Sequence, residues 1–343
     1  MAIRIEPFDA RTADQSVLVG AHQAMVDLEV DFFPTDPAPP LEHHIHNWKA
    51  PGGSHRKDQR FVAREGDETL GFVQVATWID HLDSGLITPA VRREHRGRGI
   101  GTALFLRGME ALELEGRSKL IVDIPDGSPG ESAAESMGLE RVLREKINQL
   151  LVSEIDWELM DSWIETTRSR APEYSLEFWQ PPFPEERLEE WCRISDVMNT
   201  APIDDFDLEE TVMTPEKWRS IETSLGERGY VIRAAIAVHQ PAGRFAGMTT
   251  LMALRHHPEM AQQDDTVVDP EHRGNGLGRL LKASMAKRFL AEFPRVTRIN
   301  TGNAGSNAPM LKINEEMGFR TILEISAWQG DIEPARAALT GGS

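Results

Sequence analysis

Cysteine and tyrosine are nearly absent from this chain: one cysteine, Cys192, and two tyrosines, Tyr174 and Tyr230, in 343 residues. A single thiol excludes an internal disulfide framework and fits a reducing compartment. No run approaches the roughly 20 apolar residues needed to cross a bilayer. The opening Met1-Ala2-Ile3-Arg4-Ile5-Glu6 carries charge and never enters an apolar stretch, so no signal peptide is expected and the expected location is cytoplasmic. Basic residues are also scarce, 37 Lys and Arg against 55 Asp and Glu, for a net charge of −18. Nucleic acid and anionic membrane both need a basic face, so neither is expected as a partner. The charge suits a cationic acceptor such as an amine, and it suits mere solubility equally well.

What the chain does have is a repeated loop. Arg96-Gly97-Arg98-Gly99-Ile100-Gly101 returns as Arg273-Gly274-Asn275-Gly276-Leu277-Gly278, 177 residues later. Aligned from Val91 and from Val268, eight of 14 positions are identical. A second match, Met137-Gly138-Leu139 against Met317-Gly318-Phe319, is offset by 180 residues. A chain of this length is expected to hold two domains, and these matches imply duplication of one of them.

Each half carries the same order of patterns. In the first, strands are expected at Ile3–Phe8, Arg60–Arg64, Thr69–Trp78, Leu86–Val91 and Lys119–Ile124, with a broad apolar helical face over Thr102–Glu115. In the second, strands are expected at Leu176–Trp179, Tyr230–Val238, Phe245–Leu254, Thr266–Val268 and Val296–Asn300. Helices are expected around Glu185–Met198, Pro215–Leu225 and Arg279–Glu292, and from about Asn307 to Met317, where Gly318 supplies a C-cap. Phe319–Trp328 then closes the second repeat. The expected division is 1–152, a connecting helix over 153–173, 174–330, and a tail over 331–343.

Both glycine loops stand between a strand-like run and a helix-like run. Glycines there let backbone N–H groups converge at a helix N-terminus, which favours an anion. Neither copy is a dinucleotide fingerprint, because the sixth residue from Gly97 is Thr102 and from Gly274 is Arg279. Neither has the Gly-Lys-Ser/Thr of a Walker loop. What remains resembles the GCN5-related N-acetyltransferases, whose Gln/Arg-x-x-Gly-x-Gly/Ala signature both loops match. The tandem layout is similar to that of mycothiol synthase and related two-domain bacterial proteins. The resemblance covers roughly Arg60–Val152 and Tyr230–Gln329. It implies an α/β fold of two tandem domains, each a mixed, mostly antiparallel sheet flanked by helices, and direct acetyl transfer from acetyl-CoA to an amine of a small molecule or peptide.

The resemblance also assigns residues. Arg96, Gly97, Arg98, Gly99, Ile100 and Gly101, and again Arg273, Gly274, Asn275, Gly276, Leu277 and Gly278, would hold the pyrophosphate. Val267 and Val268 would pair with pantetheine, and the family's Asn falls on Asn307. Gly127 and Ala134 stand at the places of Asn307 and Asn314 in the first half, so the second half is the expected catalytic one. The Tyr that relatives use to protonate the departing thiolate falls on Asn314, an amide that cannot supply a proton. Either water, Ser306 or another group is the substitute, or the thiolate leaves unaided and is protonated later; Asn314 could orient the pantetheine or thioester, or simply pack. Asp265, with Asp264 beside it, is the first candidate for the base, and His256-His257 a further one. Asp204, Asp205, Asp207, Glu209 and Glu210 form a candidate cation-recognition loop. Glu42-His43-His44-Ile45-His46 lacks the further ligands of a metal site, Cys192 reads as a buried structural thiol, and His95 and His272 read as shaping the bend into each loop. The missing Tyr also admits a non-enzymatic acyl-CoA-binding or partner-binding protein, and the two loops admit two active halves.

Overall fold

The computed structural model describes residues 2–50, 55–79, 81–200, 212–304 and 308–341. Ser306, Asn307 and the acidic loop Asp204, Asp205, Asp207, Glu209 and Glu210 lie outside the described residues.

The first repeat runs β1 (Arg4–Pro7), α1 (Gln15–Phe32), α2 (Leu41–Lys49), β2 (Arg56–Glu65), β3 (Glu68–Trp78), β4 (Ser84–Val91), α3 (Ile100–Leu114), β5 (Lys119–Pro125) and α4 (Pro129–Ser136). After β6 (Glu140–Leu151) and α5 (Trp157–Arg170), the second runs β7 (Tyr174–Trp179), α6 (Leu188–Ser195), α7 (Pro215–Glu227), β8 (Tyr230–His239), β9 (Arg244–Leu254), β10 (Met260–Val268), α8 (Leu277–Glu292), β11 (Arg298–Ala304) and α9 (Ala308–Met317). The chain finishes with β12 (Arg320–Asp331) and α10 (Ile332–Thr340). Local chemistry sets several boundaries. Asp156 caps α5 by accepting from Leu159 N, and Thr214 caps α7 ahead of Pro215, a residue suited to the first helical turn.

The polypeptide forms two compact units, and neither is continuous in sequence. Residues 1–145 and 323–343 build the first, and 146–203 and 210–322 build the second. The boundaries therefore fall inside β6 and inside β12. In the first unit the strand order is β1-β2-β3-β4-β5-β12, and Ile325–Asp331 pair antiparallel with Lys119–Pro125. In the second it is β6-β11-β10-β9-β8-β7. Each repeat thus receives its closing strand from the other repeat's stretch of sequence. The expectation that Phe319–Trp328 closes the second repeat is corrected accordingly. Period-two alternation tells which face of a strand is apolar but not which edge it joins. The expected tail is a helix: Ile332 and Ala335 are buried in the first unit's core beside Trp328.

Each sheet is mixed and mostly antiparallel, with a parallel pair, β4–β5 in the first unit and β10–β11 in the second. Helix α3 packs Leu104, Met109 and Leu112 on one face of the first sheet, and Phe8, Leu18 and Trp48 cover Phe72 on the other. The second unit repeats this with Leu281, Met285 and Phe289 on one face and Phe183, Trp191 and Trp218 on the other. Deleting one such buried side chain costs about 2–5 kcal/mol. Close approach of helix to sheet rests on a glycine in each repeat. A Cβ on Gly71 would meet Leu104 Cδ1 of α3 at 2.9 Å, and one on Gly247 would meet Leu281 Cδ1 of α8 at 3.2 Å. Among the described residues no helix is long and apolar enough to cross a membrane.

Helix α8 also buries a lysine. Lys282 is 1% exposed, its ammonium 5.5 Å from the Phe319 ring centroid, and burial lowers its pKa to about 7. A lysine of ordinary pKa in the unfolded chain makes this site cost stability as pH falls from about 10.5 toward 7. Lys282→Met should therefore raise Tm at pH 7, with a smaller gain at pH 10, measured by thermal melts at roughly 2–4 °C per kcal/mol.

Candidate active site

The two glycine loops share their backbone. In each, the arginine Nε donates to the carbonyl of the last strand residue, Arg96 to Val91 O at 3.1 Å and Arg273 to Val268 O at 3.2 Å. Gly99 (φ 76°) and Gly276 (φ 79°) stand at the N-caps of α3 and α8 in the left-handed region, which glycine adopts at little cost. Neither cap supplies a side-chain acceptor, so the first-turn N–H groups remain open to an anion. The adjoining parallel strands part early. Pairing covers only Ser84–Leu86 with Lys119–Ile121, and Met260–Gln262 with Arg298–Asn300.

Their surroundings differ. In the first unit Asp31 of α1 bridges two loop arginines, Arg93 and Arg96, each at 2.6 Å, and Arg98 pairs with Glu65 at 2.8 Å. Partial burial works to raise the Asp31 pKa, but hydrogen bonds from Arg93 and Arg96 outweigh it and hold the carboxyl below its usual range. The side chain of Asp27 accepts from Arg93 N at 2.8 Å. An internal carboxylate thus stands among the cations that an incoming phosphate would use. In the second unit Arg273 has no carboxylate partner among the described residues, and Asn275 replaces Arg98.

The second loop opens on a cleft of about 1050 Å³. Its floor is Thr266, Val267 and Val268 of β10 with the loop Arg273–Gly278. One wall is α5, through Trp163, Thr167 and Arg170, and the other is α9, through Met310, Ile313 and Glu316. Helix α5, expected only as a connector, is the part of the site that sequence reasoning missed. Arg168 and Arg170 in its last turn were the available signal.

Strand β10 carries a bulge between Gln263 and Thr266, so Asp264 and Asp265 occupy the irregular turn of backbone. The matching β3–β4 pairing in the first unit runs unbroken from Ala76–Leu86 to Gly71–Val91. The bulge is braced by side chains. The Gln263 amide donates to Thr250 O at 2.7 Å, and Thr250 Oγ1 donates to Asp264 Oδ2 at 3.2 Å. Burial, then the neighbouring Asp264 charge, raises the Asp265 pKa to about 7. Asp264 is also raised, chiefly by burial, although it keeps contact with solvent. Two adjacent carboxyls stand on the bulge, next in sequence to Thr266 of the cleft floor, and both ionise only reluctantly.

The loop is held from behind by Tyr174. Asn275 Nδ2 donates to the Tyr174 hydroxyl at 3.3 Å, and that hydroxyl also hydrogen-bonds His272 Nδ1 at 2.9 Å. His272 therefore shapes the strand-to-loop bend through a tyrosine. In the first unit His95 lies 3.2 Å from Glu68 instead.

Other expected residues are placed elsewhere. Asn314 is 1% exposed and lines a separate cavity of about 440 Å³ with Lys146, Asn148 and Thr321. On α9 the cleft takes the face of Met310, Ile313 and Glu316, and Asn314 lies off that face, as its packing alternative expects. His256 and His257 sit at the end of β10 remote from the loop. His44 is buried against Trp48, with Glu29 at 3.1 Å and His22 at 2.9 Å. Among the described residues no group of His, Cys, Asp and Glu is arranged to hold a metal. Cys192 is buried in the core, and burial raises its pKa to about 11.

These features are shared with known proteins. The acetyltransferase (GNAT) family profile matches residues 22–127 and 176–319. Among solved structures, a tandem GNAT protein from the clavulanic acid biosynthesis pathway superposes with a TM-score of 0.78 at 23% identity, covering 96% of this chain and 99% of that one. A GCN5-related N-acetyltransferase from Sphaerobacter thermophilus gives 0.65 at 14% identity, covering 96% of each. A search of curated proteins gives no significant match. A duplicated glycine loop at a splayed strand pair, with the family profile matching in both repeats, makes this chain a member of the acetyltransferase (GNAT) family.

Proposed function

We propose that the second unit transfers an acetyl group from acetyl-CoA to the amine of a small, cationic acceptor, and that the first unit is structural. The observation that carries this reading is the cleft of about 1050 Å³ at the second loop, where Arg273 has no carboxylate partner among the described residues. The loop N–H groups and Arg273 suit a diphosphate. The backbone of Thr266–Val268, released where β10 parts from β11, suits the amides of a pantetheine arm by adding to the sheet edge.

The acceptor nitrogen forms a bond to the acetyl carbonyl carbon as the carbon–sulfur bond breaks, and the amine must lose a proton. Asp265 is the group that takes it, directly or through one water, because its raised pKa keeps it a base near neutral pH. Asp264 beside it favours a cationic acceptor. The thiolate needs no acid from this chain. Tyr174 is committed to the loop behind the cleft, and a thiol of pKa near 8.5 leaves readily as its anion. A non-enzymatic acyl-CoA-binding protein is the alternative, favoured only by the Asn at position 314.

Four substitutions test this reading. Gly276→Glu puts a side chain into a left-handed turn, where the Cβ alone meets Thr167 Oγ1 at 2.8 Å. Acetyl-CoA binding, measured by calorimetry, and thiol release on a panel of amines should both vanish. Gly99→Glu should leave turnover largely intact, and equal loss from both would overturn the assignment to the second unit. For Asp265, turnover should rise with pH through about 7, and Asp265→Asn should remove that limb and lower kcat by about 10²-fold or more. A raised carboxyl pKa contributes stability that is present below pH 4 and lost as pH rises through about 7. Asp265→Asn should therefore raise Tm at pH 8 while it lowers activity. A pH profile that survives the substitution would exclude Asp265 as the base. Tyr174→Phe should raise KM for acetyl-CoA by about two- to tenfold, the worth of one or two hydrogen bonds, with kcat unchanged.

A further inference from the structure

The second sheet carries a polar trio where the first has apolar side chains, and the strand registers match the positions. Thr249 pairs with Thr266 as Val73 pairs with Pro89, and Leu251 pairs with Gln263 as Val75 pairs with Ile87. Val73 and Ile87 are fully buried in the core that α3 covers. Thr249 alternates along β9 with Leu251 and Ala253, which belong to the core that α8 covers. It is 0% exposed and Gln263 is 4% exposed, while Thr266 lines the cleft floor. Burying a hydroxyl or an amide in place of an aliphatic group costs stability unless its polar atoms find partners.

The hydrogens of this trio can be placed one by one. The Gln263 amide has two N–H groups, and its nearest acceptors are Thr250 O at 2.7 Å and Thr249 Oγ1 at 3.0 Å. Thr249 Oγ1 and Thr266 Oγ1 lie 2.7 Å apart, and distance alone leaves either free to donate. Burial decides. Among the described residues the Thr249 hydroxyl has no acceptor other than Thr266 Oγ1, and a buried O–H left without one costs about 1–3 kcal/mol. Thr249 therefore donates to Thr266, and the Thr266 hydrogen must point elsewhere. Thr266 is half-buried, and the open space that it borders is the cleft.

We infer that Thr266 is a catalytic residue whose hydroxyl, ordered by Gln263 and Thr249, donates to the acetyl carbonyl oxygen of the bound thioester. This rests on the acyl-transfer reading and deepens it. Asp265 is next to Thr266 in the chain, so a carbonyl carbon attacked by an amine within reach of Asp265 also lies beside Thr266. As nitrogen adds, the carbonyl π pair moves onto oxygen and the hydrogen bond from Thr266 strengthens. Collapse re-forms the carbonyl, the carbon–sulfur bond breaks and sulfur leaves as the thiolate. Thr266 keeps its proton throughout. Gln263 and Thr249 are positioning residues, and Pro89 gives the first unit no donor at this place.

The test uses the full chain, acetyl-CoA and any amine of the panel that supports turnover. Thr266→Val should lower kcat by about 10²-fold and leave KM for acetyl-CoA and the pH limb assigned to Asp265 unchanged. Thr266→Ser should restore most of the rate. In infrared difference spectra the thioester carbonyl band of bound acetyl-CoA should move to higher frequency in Thr266→Val, a shift that a purely structural role would not produce. Thr249→Val keeps the Thr266 hydroxyl but removes the group that orders it, and should lower kcat by about three- to tenfold. Where Thr266→Val melts early, the kinetics and carbonyl band of Thr249→Val decide. An unchanged kcat and carbonyl band in these variants, or a rate that Thr266→Ser fails to restore, overturns the inference and leaves the acyl-transfer reading intact. A wild type that neither binds nor consumes acetyl-CoA overturns that reading itself.

Discussion

The second sheet stops pairing β10 with β11 after three residues, and everything at the site follows from that interruption. A sheet interior does not leave backbone N–H and C=O groups unpaired unless another partner satisfies them. Here the strands part, a bulge turns Asp264 and Asp265 into irregular backbone, and the strand ends in a left-handed glycine turn. The open edge and the uncapped N-terminus of α8 form one continuous run of donors. Gly247 lets α8 sit directly on the sheet, which fixes the helix start relative to the open edge. One geometric device therefore sets both the length and the polarity of the cleft.

The first unit keeps that device and sets carboxylates against its arginines. Its strands part at the same place and its glycines adopt the same turn. But Asp31 already occupies Arg93 and Arg96. Exposed ion pairs are individually weak, so Asp31 contributes little to stability. On the proposed reading its effect is on binding: a tethered carboxylate competes with any phosphate at a high local concentration that a free ligand must exceed. The missing bulge removes the second half of the device. Divergence after duplication thus acted on what surrounds the glycines while leaving the glycines themselves.

How much of this the sequence disclosed follows the same division. The loops were legible because only glycine tolerates their dihedrals, and the helices behind them because their apolar faces are broad. Most strands were found within a few residues; β10 is the exception, where only Thr266–Val268 of Met260–Val268 was expected, its start masked by the polar run Gln262–Asp265. β6 was passed over because Arg141, Arg144, Glu145 and Lys146 break its apolar alternation. The exchange of closing strands was hidden for a different reason: either strand satisfies either edge by pattern alone, and the choice is made by tertiary fit. Asn314 stays between two roles in the sequence for want of one angle. Motif spacing fixes a position on α9 but not which side of that helix meets the cleft.

The Asp264–Asp265 pair shows why a costly arrangement would persist at such a site. On the proposed reading a proton passes from an ammonium of pKa near 10 to a carboxylate. For an ordinary carboxylate near 4 that transfer is uphill by about six units, or ~8 kcal/mol. With Asp265 raised to about 7, the gap falls to about three units, or ~4 kcal/mol. The difference corresponds to roughly a thousandfold in rate if the transfer is complete at the transition state. The same shift makes the folded chain less stable above neutral pH, so the stability lost to crowding two carboxyls on a bulge is matched to the basicity the chemistry needs. A cationic acceptor would sharpen the match, because its charge offsets the repulsion between the two carboxylates while it is bound and leaves with the acetylated product, which is neutral at that nitrogen.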